Sequence, residues 1–280
     1  MTHSTESTSM SLETLLRDAT GEFVKIVDPA PHVRLLVLNR PETMNAWHGP
    51  MRQEMAAAIR GLAESDIRAA VICGNEKSFS AGEDVRGMGD LSSISTKRFR
   101  SIAREFHDVF DMIESLEMPV IAAVEGVAAG GGMELTLSCD FRVAGRKARF
   151  ALPETNVGLI PGSGGCSRLV RLVGLARAKQ ILLLEGVMPA ERADALGLVT
   201  RLTDAGGALD EALRMAGDLA AKAPLAVGIA KMVLNACSEV DLDTGRRFER
   251  LGQSVLKKTH DHGEGVAAFL EKRKPVWTET

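Results

Sequence analysis

The sequence predicts an α/β fold in which a parallel sheet is covered by helices, and three observations predict it. Short apolar runs alternate with amphipathic helical stretches through the first half of the chain. The runs are apolar throughout rather than at every second position, and from Gly207 onward helix signals replace strand signals almost completely. A strand that is apolar on both faces has to be covered on both faces, which is the condition of a parallel sheet packed between helices. With 280 residues, 45% hydrophobic and 25% charged, the chain has ordinary globular proportions. Disordered, collagen-like and disulfide-scaffold classes drop out.

Taken in order, Phe23–Val27, a turn at Asp28–Pro31 and Val33–Leu38 read as a hairpin. Met51, Met55, Ile59 and Leu62 recur at helical spacing, and Ala69–Cys73 is the next strand. A second helix carries Phe99, Ile102, Ala103, Phe106, Phe110, Ile113 and Leu116 on one face and leads to the buried strand Val120–Val124. Strands continue at Phe141–Ala144 and, more thinly, at Leu198–Thr200. Leu209, Ala212, Leu213, Ala216 and Leu219 mark a later helix, and Phe248, Leu251 and Val255 another. The expected organisation is a loose tail over 1–18, an α/β core over 19–205 and a helical region over 206–280 whose outer faces serve assembly.

Charge and cysteine usage remove several functions. The balance of 34 Lys and Arg against 37 Asp and Glu, a net charge of −3, does not suit a face built to neutralise a polyphosphate, so no nucleic-acid partner is expected. Pro119–Met133, the most apolar window, is broken by Glu125 and falls short of the ~20 residues that cross a bilayer. Met1–Ser11 is Ser/Thr-rich without Lys or Arg, unlike a secretory signal or transit peptide. A soluble cytoplasmic protein is expected, with no membrane partner. Cys73, Cys139, Cys166 and Cys237 show no paired spacing, so they read as small apolar residues rather than metal ligands or a redox pair. His260 and His262 flank Asp261 in a polar stretch that reads as solvated, and no metal is expected.

The 27 glycines gain meaning from their placement. Gly130, Gly131 and Gly132 precede Glu134 after a buried strand, where close backbone approach and a helix N-terminus would suit an anion or oxyanion, or simply tight helix–sheet packing. Ser80–Asp84 forms a second glycine-bearing turn after the preceding strand. Loops at the carboxyl ends of adjacent parallel strands face one crevice, so each could offer one N–H to a single oxygen. Leu152–Glu154 is followed by Gly158–Gly165, but no Lys-Ser or Lys-Thr follows those glycines and the phosphate-loop pattern fails. Gly126–Gly130 does not fit the dinucleotide fingerprint, and Pro161 stands where a nucleophile elbow needs glycine. With no Tyr in the chain and no His in the glycine loops, carboxylates are the acid/base candidates.

In order and spacing these elements resemble the enoyl-CoA hydratase/isomerase (crotonase) superfamily. The resemblance covers residues 20–275 and runs through Leu38–Ala46, Ser78–Asp84, Pro119–Leu135, Cys139-Asp140, Phe150–Gly165 and Glu264–Lys274. It implies a crotonase-like spiral of ββα units with a helical C-terminal region, acyl-CoA thioester substrates, trimers or dimers of trimers, and no cofactor beyond the CoA of the substrate. It also implies that the backbone N–H groups of Glu83 and Gly131 receive the thioester oxygen. Glu134 and Glu154, twenty residues apart, match the two glutamates of the family's hydratases: Glu134 to activate water, Glu154 to protonate C2, with the Gly162 N–H holding the water. Ala46, Ala81, Gly82, Asp84, Gly130 and Pro153 take substrate-lining positions, and Phe269 and Lys272 take CoA-contact positions, which a neighbouring subunit can supply.

The implied activity is reversible hydration of a 2-enoyl-CoA. An isomerase or C–C hydrolase of the same superfamily, and a non-catalytic oligomer binding CoA or RNA, stand as the alternatives. One departure matters: Glu83 replaces the small residue usual at its position in straight-chain hydratases. Turned inward, its carboxyl would act on a neighbouring glutamate or on a polar acyl group. Turned outward, it would pair with a surface base such as Arg86. Lys97, Arg98 and Arg100 read as a solvated helix face that could assist the CoA phosphates.

Overall fold

The computed structural model describes residues 11–84, 86 and 94–280. Strands β1 (Val24–Ala30) and β2 (Val33–Leu38) pair antiparallel at one edge of a six-stranded sheet. Beside β2 lie β3 (Ala69–Cys73), β5 (Val120–Val124), β7 (Phe141–Gly145) and β10 (Arg201–Thr203), all parallel. A smaller sheet holds β4 (Ser78–Ser80), β6 (Val127–Ala129) and β8 (Arg149–Ala151) in parallel, with β9 (Val187–Pro189) antiparallel to β8. The chain visits the two sheets alternately: β3 then β4, β5 then β6, β7 then β8. Helix α3 (Thr96–Ser115) follows the first of these pairs and α4 (Gly131–Ser138) the second. This is the expected spiral of ββα units.

The unbroken apolar runs follow from burial on both faces. Ala70, Ile72, Ala122 and Val124 point into a core shared with Phe79, Phe150, Met133 and the buried Met51, Met55, Ile59 and Leu62 of α2 (Gly49–Ala63). Their neighbours Val71, Cys73, Ile121 and Ala123 pack instead against α7 (Ala208–Ala220). On α7 the fully covered positions are Ala208, Ala212, Ala216 and Ala220, whose small side chains let the helix lie close to the sheet, while Leu209, Leu213 and Leu219 flank the contact.

Helices α5 (Gly165–Leu183) and α6 (Ala190–Ala195) complete the core region. Beyond α7, α8 (Pro224–Cys237) packs on α9 (Leu242–Leu256), and α10 (His260–Glu271) follows. The buried Lys231 fastens α8 to the sheet, its Nζ 2.8 Å from Asp140 Oδ2 and 3.0 Å from the Met118 carbonyl. Residues after α10 fold back: Trp277 Nε1 donates to Ala221 O at 2.8 Å and Arg68 pairs with Glu279 at 2.9 Å. Among the described residues no single helix is long and apolar enough to cross a membrane.

Several elements differ from the sequence reading. Asp28–Ala30 is strand, not turn: β1 continues with irregular pairing between Val27 and Ala30, and the reversal falls at Pro31-His32, where His32 takes φ 60°. The tail does not stay loose to residue 18. Ser11 caps α1 (Leu12–Leu15), Leu15 is buried, and Leu12 and Leu16 pack against the core beside α7; residues 1–10 lie outside the described residues. The last strand is Arg201–Thr203 rather than Leu198–Thr200: pairing with β7 begins at Arg201 beside Val143, and the buried Leu198 and Val199 lie ahead of it in irregular chain. On α3, Phe110, Ile113 and Leu116 are buried as expected and Phe99 is exposed; the side chains of Ile102 and Phe106 lie outside the described residues. Phe248, Leu251 and Val255 of α9 are exposed.

Candidate active site

The two glycine-bearing loops meet, though not at the strands the sequence suggested. Residues 81–84 leave β4 and Gly130-Gly131 leave β6, adjacent parallel strands of the smaller sheet. These three-residue strands are too short to show in hydropathy. Gly82 has φ +92°, and a Cβ there would lie 2.7 Å from Ala129 O and 3.1 Å from Gly131 N. A Cβ on Gly131 would lie 3.9 Å from Glu83 N. Only glycine permits this approach, and it sets the Glu83 and Gly131 N–H groups side by side. Among the described residues neither group donates to a protein acceptor. Gly131 opens α4, so its N–H is one of the helix's unpaired donors.

The segment Arg40–Trp47 scaffolds the first loop. Met44 and Asn45 both adopt left-handed backbone, φ 54° and 55°. The buried Asn45 then donates from Nδ2 to the carbonyls of Ser78 and Phe79, each at 3.1 Å, and accepts from Ser80 Oγ at 2.8 Å on its own carbonyl. Ala81 N donates to Met44 O, Trp47 N to Gly82 O and Asp84 N to Trp47 O. Arg40 Nη1 joins Ala46 O at 3.0 Å to Asp84 Oδ2 at 2.8 Å, and that hydrogen bond holds the Asp84 carboxyl below its ordinary range. Ala46, Ala81 and Asp84 are thus tied into one framework behind the loop.

Glu83 pairs with a base other than the one expected. Both its carboxylate oxygens lie 3.1 Å from Arg52 Nη1 on α2, whereas Arg86 pairs with Asp84 at 3.5 Å. Burial pushes the Glu83 carboxyl up, and Arg52 opposes the rise.

Glu134 on α4 is 4% exposed. Its Oε1 accepts from Ser163 N at 2.7 Å and Gly165 N at 2.9 Å. A Cβ on Gly165 would stand 2.8 Å from that oxygen, so this glycine is what lets the loop close on the carboxylate. Burial raises the Glu134 pKa; the two N–H groups and the charges of His107 and Arg168 pull it back only in part. Glu154 opens a 3-10 turn, Glu154–Val157, with Pro153 as its cap. Its Oε1 lies 3.2 Å from the position of a Cβ on Gly130, and its Oε2 is buried without a protein partner. Burial raises its pKa first, the hydrogen bond from its own backbone N–H opposes the rise, and the charge of Glu134 adds to it. The half-buried Cys166 thiol is raised by burial and by both glutamates, so the two carboxyls converge on the start of α5. Gly162 lies in the same loop, and its N–H has no protein acceptor among the described residues.

The arrangement offers two donors for one oxygen beside two desolvated carboxyls of unequal mounting. Such a site can stabilise a developing oxyanion while moving protons. A profile described as enoyl-CoA hydratase/isomerase matches residues 31–280. The chain belongs to this family.

Relatives agree over nearly their full length. The crotonyl-CoA hydratase of Syntrophomonas wolfei is 38% identical over 251 residues, 89% of this chain and 95% of its own. The 2,3-dehydroadipyl-CoA hydratase of Escherichia coli is 36% identical over 251 residues, 89% and 96%. A crystal structure of an enoyl-CoA hydratase from Bacillus anthracis superposes with TM-score 0.88 at 32% identity, covering 92% of this chain and all of that one. The protein is an enzyme of the enoyl-CoA hydratase type.

Other expected family positions lie elsewhere. Phe269, 83% exposed on α10, belongs to a separate groove of about 660 Å³ formed with Leu256, Val266 and Trp277, and Lys272 caps the end of α10 outside that lining. Among the described residues no hydrogen bond or ion pair joins α10 to either glycine-bearing loop. Lys97, Arg98 and Arg100 are exposed on the first turns of α3. No group of His, Cys, Asp and Glu among the described residues could hold a metal ion. Sequence reasoning missed Ser163, Gly165, Arg168 and Asn45. The glycine run was visible, but which of its N–H groups turn toward Glu134 depends on chain reversal.

Proposed function

We infer that this enzyme adds water reversibly across the double bond of a 2-enoyl-CoA, with Glu134 and Glu154 as the proton-transferring pair. The observation that carries the reading is the unequal mounting of these two carboxyls beside the paired Glu83 and Gly131 N–H groups. The thioester oxygen accepts from both N–H groups; as water adds at C3, negative charge builds on that oxygen as an enolate, and two fixed donors stabilise it. Losing one such donor typically costs about 10²–10³ in rate. Glu134, its charge supported by Ser163 and Gly165, takes a proton from the attacking water, which the Gly162 N–H helps to hold. Glu154, whose burial favours the protonated form, delivers a proton to C2. The pair shares the water and titrates as one coupled unit.

Ala46, Ala81, Gly82, Asp84, Gly130 and Pro153 line the path of the thioester. Phe269 and Lys272 contact CoA from this or a neighbouring subunit in a trimer or dimer of trimers, a reading supported by the exposed Leu251, Val255 and Leu234 of the helical region. Glu83 is engaged by Arg52 and takes no proton in the reaction.

Mixing the enzyme with a panel of straight, branched, cyclic and aromatic 2-enoyl-CoAs should abolish the enoyl-thioester ultraviolet absorbance of at least one member. Label from solvent oxygen should appear at C3. Double-bond migration without oxygen incorporation would replace this reading with isomerisation, and binding without turnover across the panel would replace it with a non-catalytic role.

A further inference from the structure

Glu134 is held by a loop, and something must hold the loop. Three consecutive peptide units face it in alternation. The 162–163 unit gives the Ser163 N–H to Glu134 Oε1, the 164–165 unit gives the Gly165 N–H to the same oxygen, and the unit between them turns its carbonyl, Ser163 O, the other way. That carbonyl accepts from Arg168 Nη1 at 3.0 Å. The buried guanidinium spends its other donors on α3: Nε and Nη2 reach Glu114 Oε2 at 3.0 and 2.7 Å, and Nη2 reaches Asp111 Oδ1. Gly164, φ +92°, is part of the same fit, because a Cβ there would fall 2.0 Å from Arg168 Nη1.

We propose that Arg168 is a positioning residue for the hydration step: it ties the Ser163 carbonyl to the acids of α3 and so keeps both loop N–H groups trained on Glu134. The proposal rests on the reading of Glu134 as a proton-transferring carboxylate. A planar fork suits the task, since one guanidinium satisfies a carbonyl and two carboxylates in fixed directions and an ammonium does not. The helix that anchors it also carries His107, one turn before Asp111, whose charge favours the ionised form of Glu134. Groups acting on Glu134 therefore come from α3 (His107), from α5 (Arg168 and, in return, Cys166) and from the 3-10 turn (Glu154). If the loop loosens, Glu134 loses hydrogen bonds that stabilise its charged form while its burial remains. Its proton is then held more tightly, and the acid limb of the rate profile moves to higher pH.

The test compares Arg168→Met, Arg168→Lys, Glu114→Gln and Glu134→Gln in the full chain. Each is assayed for kcat, KM and the pH dependence of kcat on the fastest substrate of the enoyl-CoA panel, with a thermal melt as control. Arg168→Met should lower kcat about 10–100-fold, the scale of a misplaced catalytic group, leave KM nearly unchanged and move the acid limb upward. Arg168→Lys, which keeps the charge but not the fork, should remain impaired, and Glu114→Gln should show a smaller effect in the same direction. Should Arg168→Met fail to fold, the other two variants decide. Lower melting temperatures with unchanged kcat and acid limb would make Arg168 a structural staple and overturn the proposal; full activity in Arg168→Lys would overturn it in favour of charge alone. Wild-type turnover in Glu134→Gln would instead remove the underlying reading of Glu134.

Discussion

Glu134 and Glu154 are the same side chain in two different mounts. Glu134 stands on a helix whose residues from Gly132 to Ser138 are all buried, with one oxygen held by two backbone N–H groups. Glu154 opens a four-residue 3-10 turn, with one oxygen buried and unpartnered, and runs into the exposed Val157, Leu159 and Ile160. Two N–H groups from a neighbouring loop support the charge of Glu134, while at Glu154 burial and the charge of Glu134 favour the proton against a single hydrogen bond from its own backbone. The difference teaches how one fold gives two identical side chains unlike electrostatic settings, the inequality on which the inferred division between base and acid rests.

The largest expected effect removes either carboxyl. Glu134→Gln and Glu154→Gln should each slow loss of enoyl-thioester absorbance by about 10²–10⁴. Wild-type rates in both would break the comparison at its root. A smaller effect separates the mounts. Gly165→Ala drives a Cβ to 2.8 Å from Glu134 Oε1 and 2.5 Å from Pro161 Cβ, against buried surroundings, and should lower kcat about 100-fold. Gly130→Ala meets Glu154 Oε1 at 3.2 Å and suffers its positive φ of 51°, but the carboxyl tip it meets can shift, so a loss of about 10-fold is expected. A larger loss at Gly130 than at Gly165 would reverse which glutamate is the rigid one.

Much of this site was legible because its parts are local. The glycines at 82 and 130–132 announce close backbone approach, Glu134 and Glu154 stand within motifs, and the apolar runs Ala69–Cys73 and Val120–Val124 became the central strands β3 and β5. What stayed hidden depends on contacts between distant segments. No spacing rule connects Glu134 to the N–H groups of Ser163 and Gly165, or Glu83 to Arg52 rather than to the nearer Arg86. The strands that carry both glycine-bearing loops are three residues long, below the length at which alternation or apolarity gives a signal. The Asp28–Ala30 stretch misled for the opposite reason: Pro29 reads as a turn former, but at a sheet edge with irregular pairing a strand tolerates it.

The mildest prediction concerns stability, and it follows from the sign of the same shifts. Both carboxyls have folded-state pKa values above the ordinary range. A group shifted in that direction contributes stability that is fully present below its unfolded pKa and is lost as pH rises through the folded one. Above the unfolded pKa, keeping either carboxyl in its buried site, whether it holds a proton there or not, costs the fold something that Gln does not. At Glu154 burial raises the pKa most, the hydrogen bond from its own backbone N–H opposes it and the charge of Glu134 reinforces it, whereas at Glu134 burial is opposed by two N–H groups, His107 and Arg168 with no carboxylate reinforcing it. Glu154→Gln should therefore raise the melting temperature at neutral pH by about 2 °C, and Glu134→Gln by less. The gain from Glu154→Gln should shrink when Glu134→Gln is already present, because the neighbouring charge that raised Glu154 is gone. Below about pH 4, where the unfolded carboxyl is itself protonated, the gain should vanish. Melting curves of the two single variants and the double variant across pH measure all three outcomes, and a gain that persists in acid would show that packing rather than the buried charge sets it.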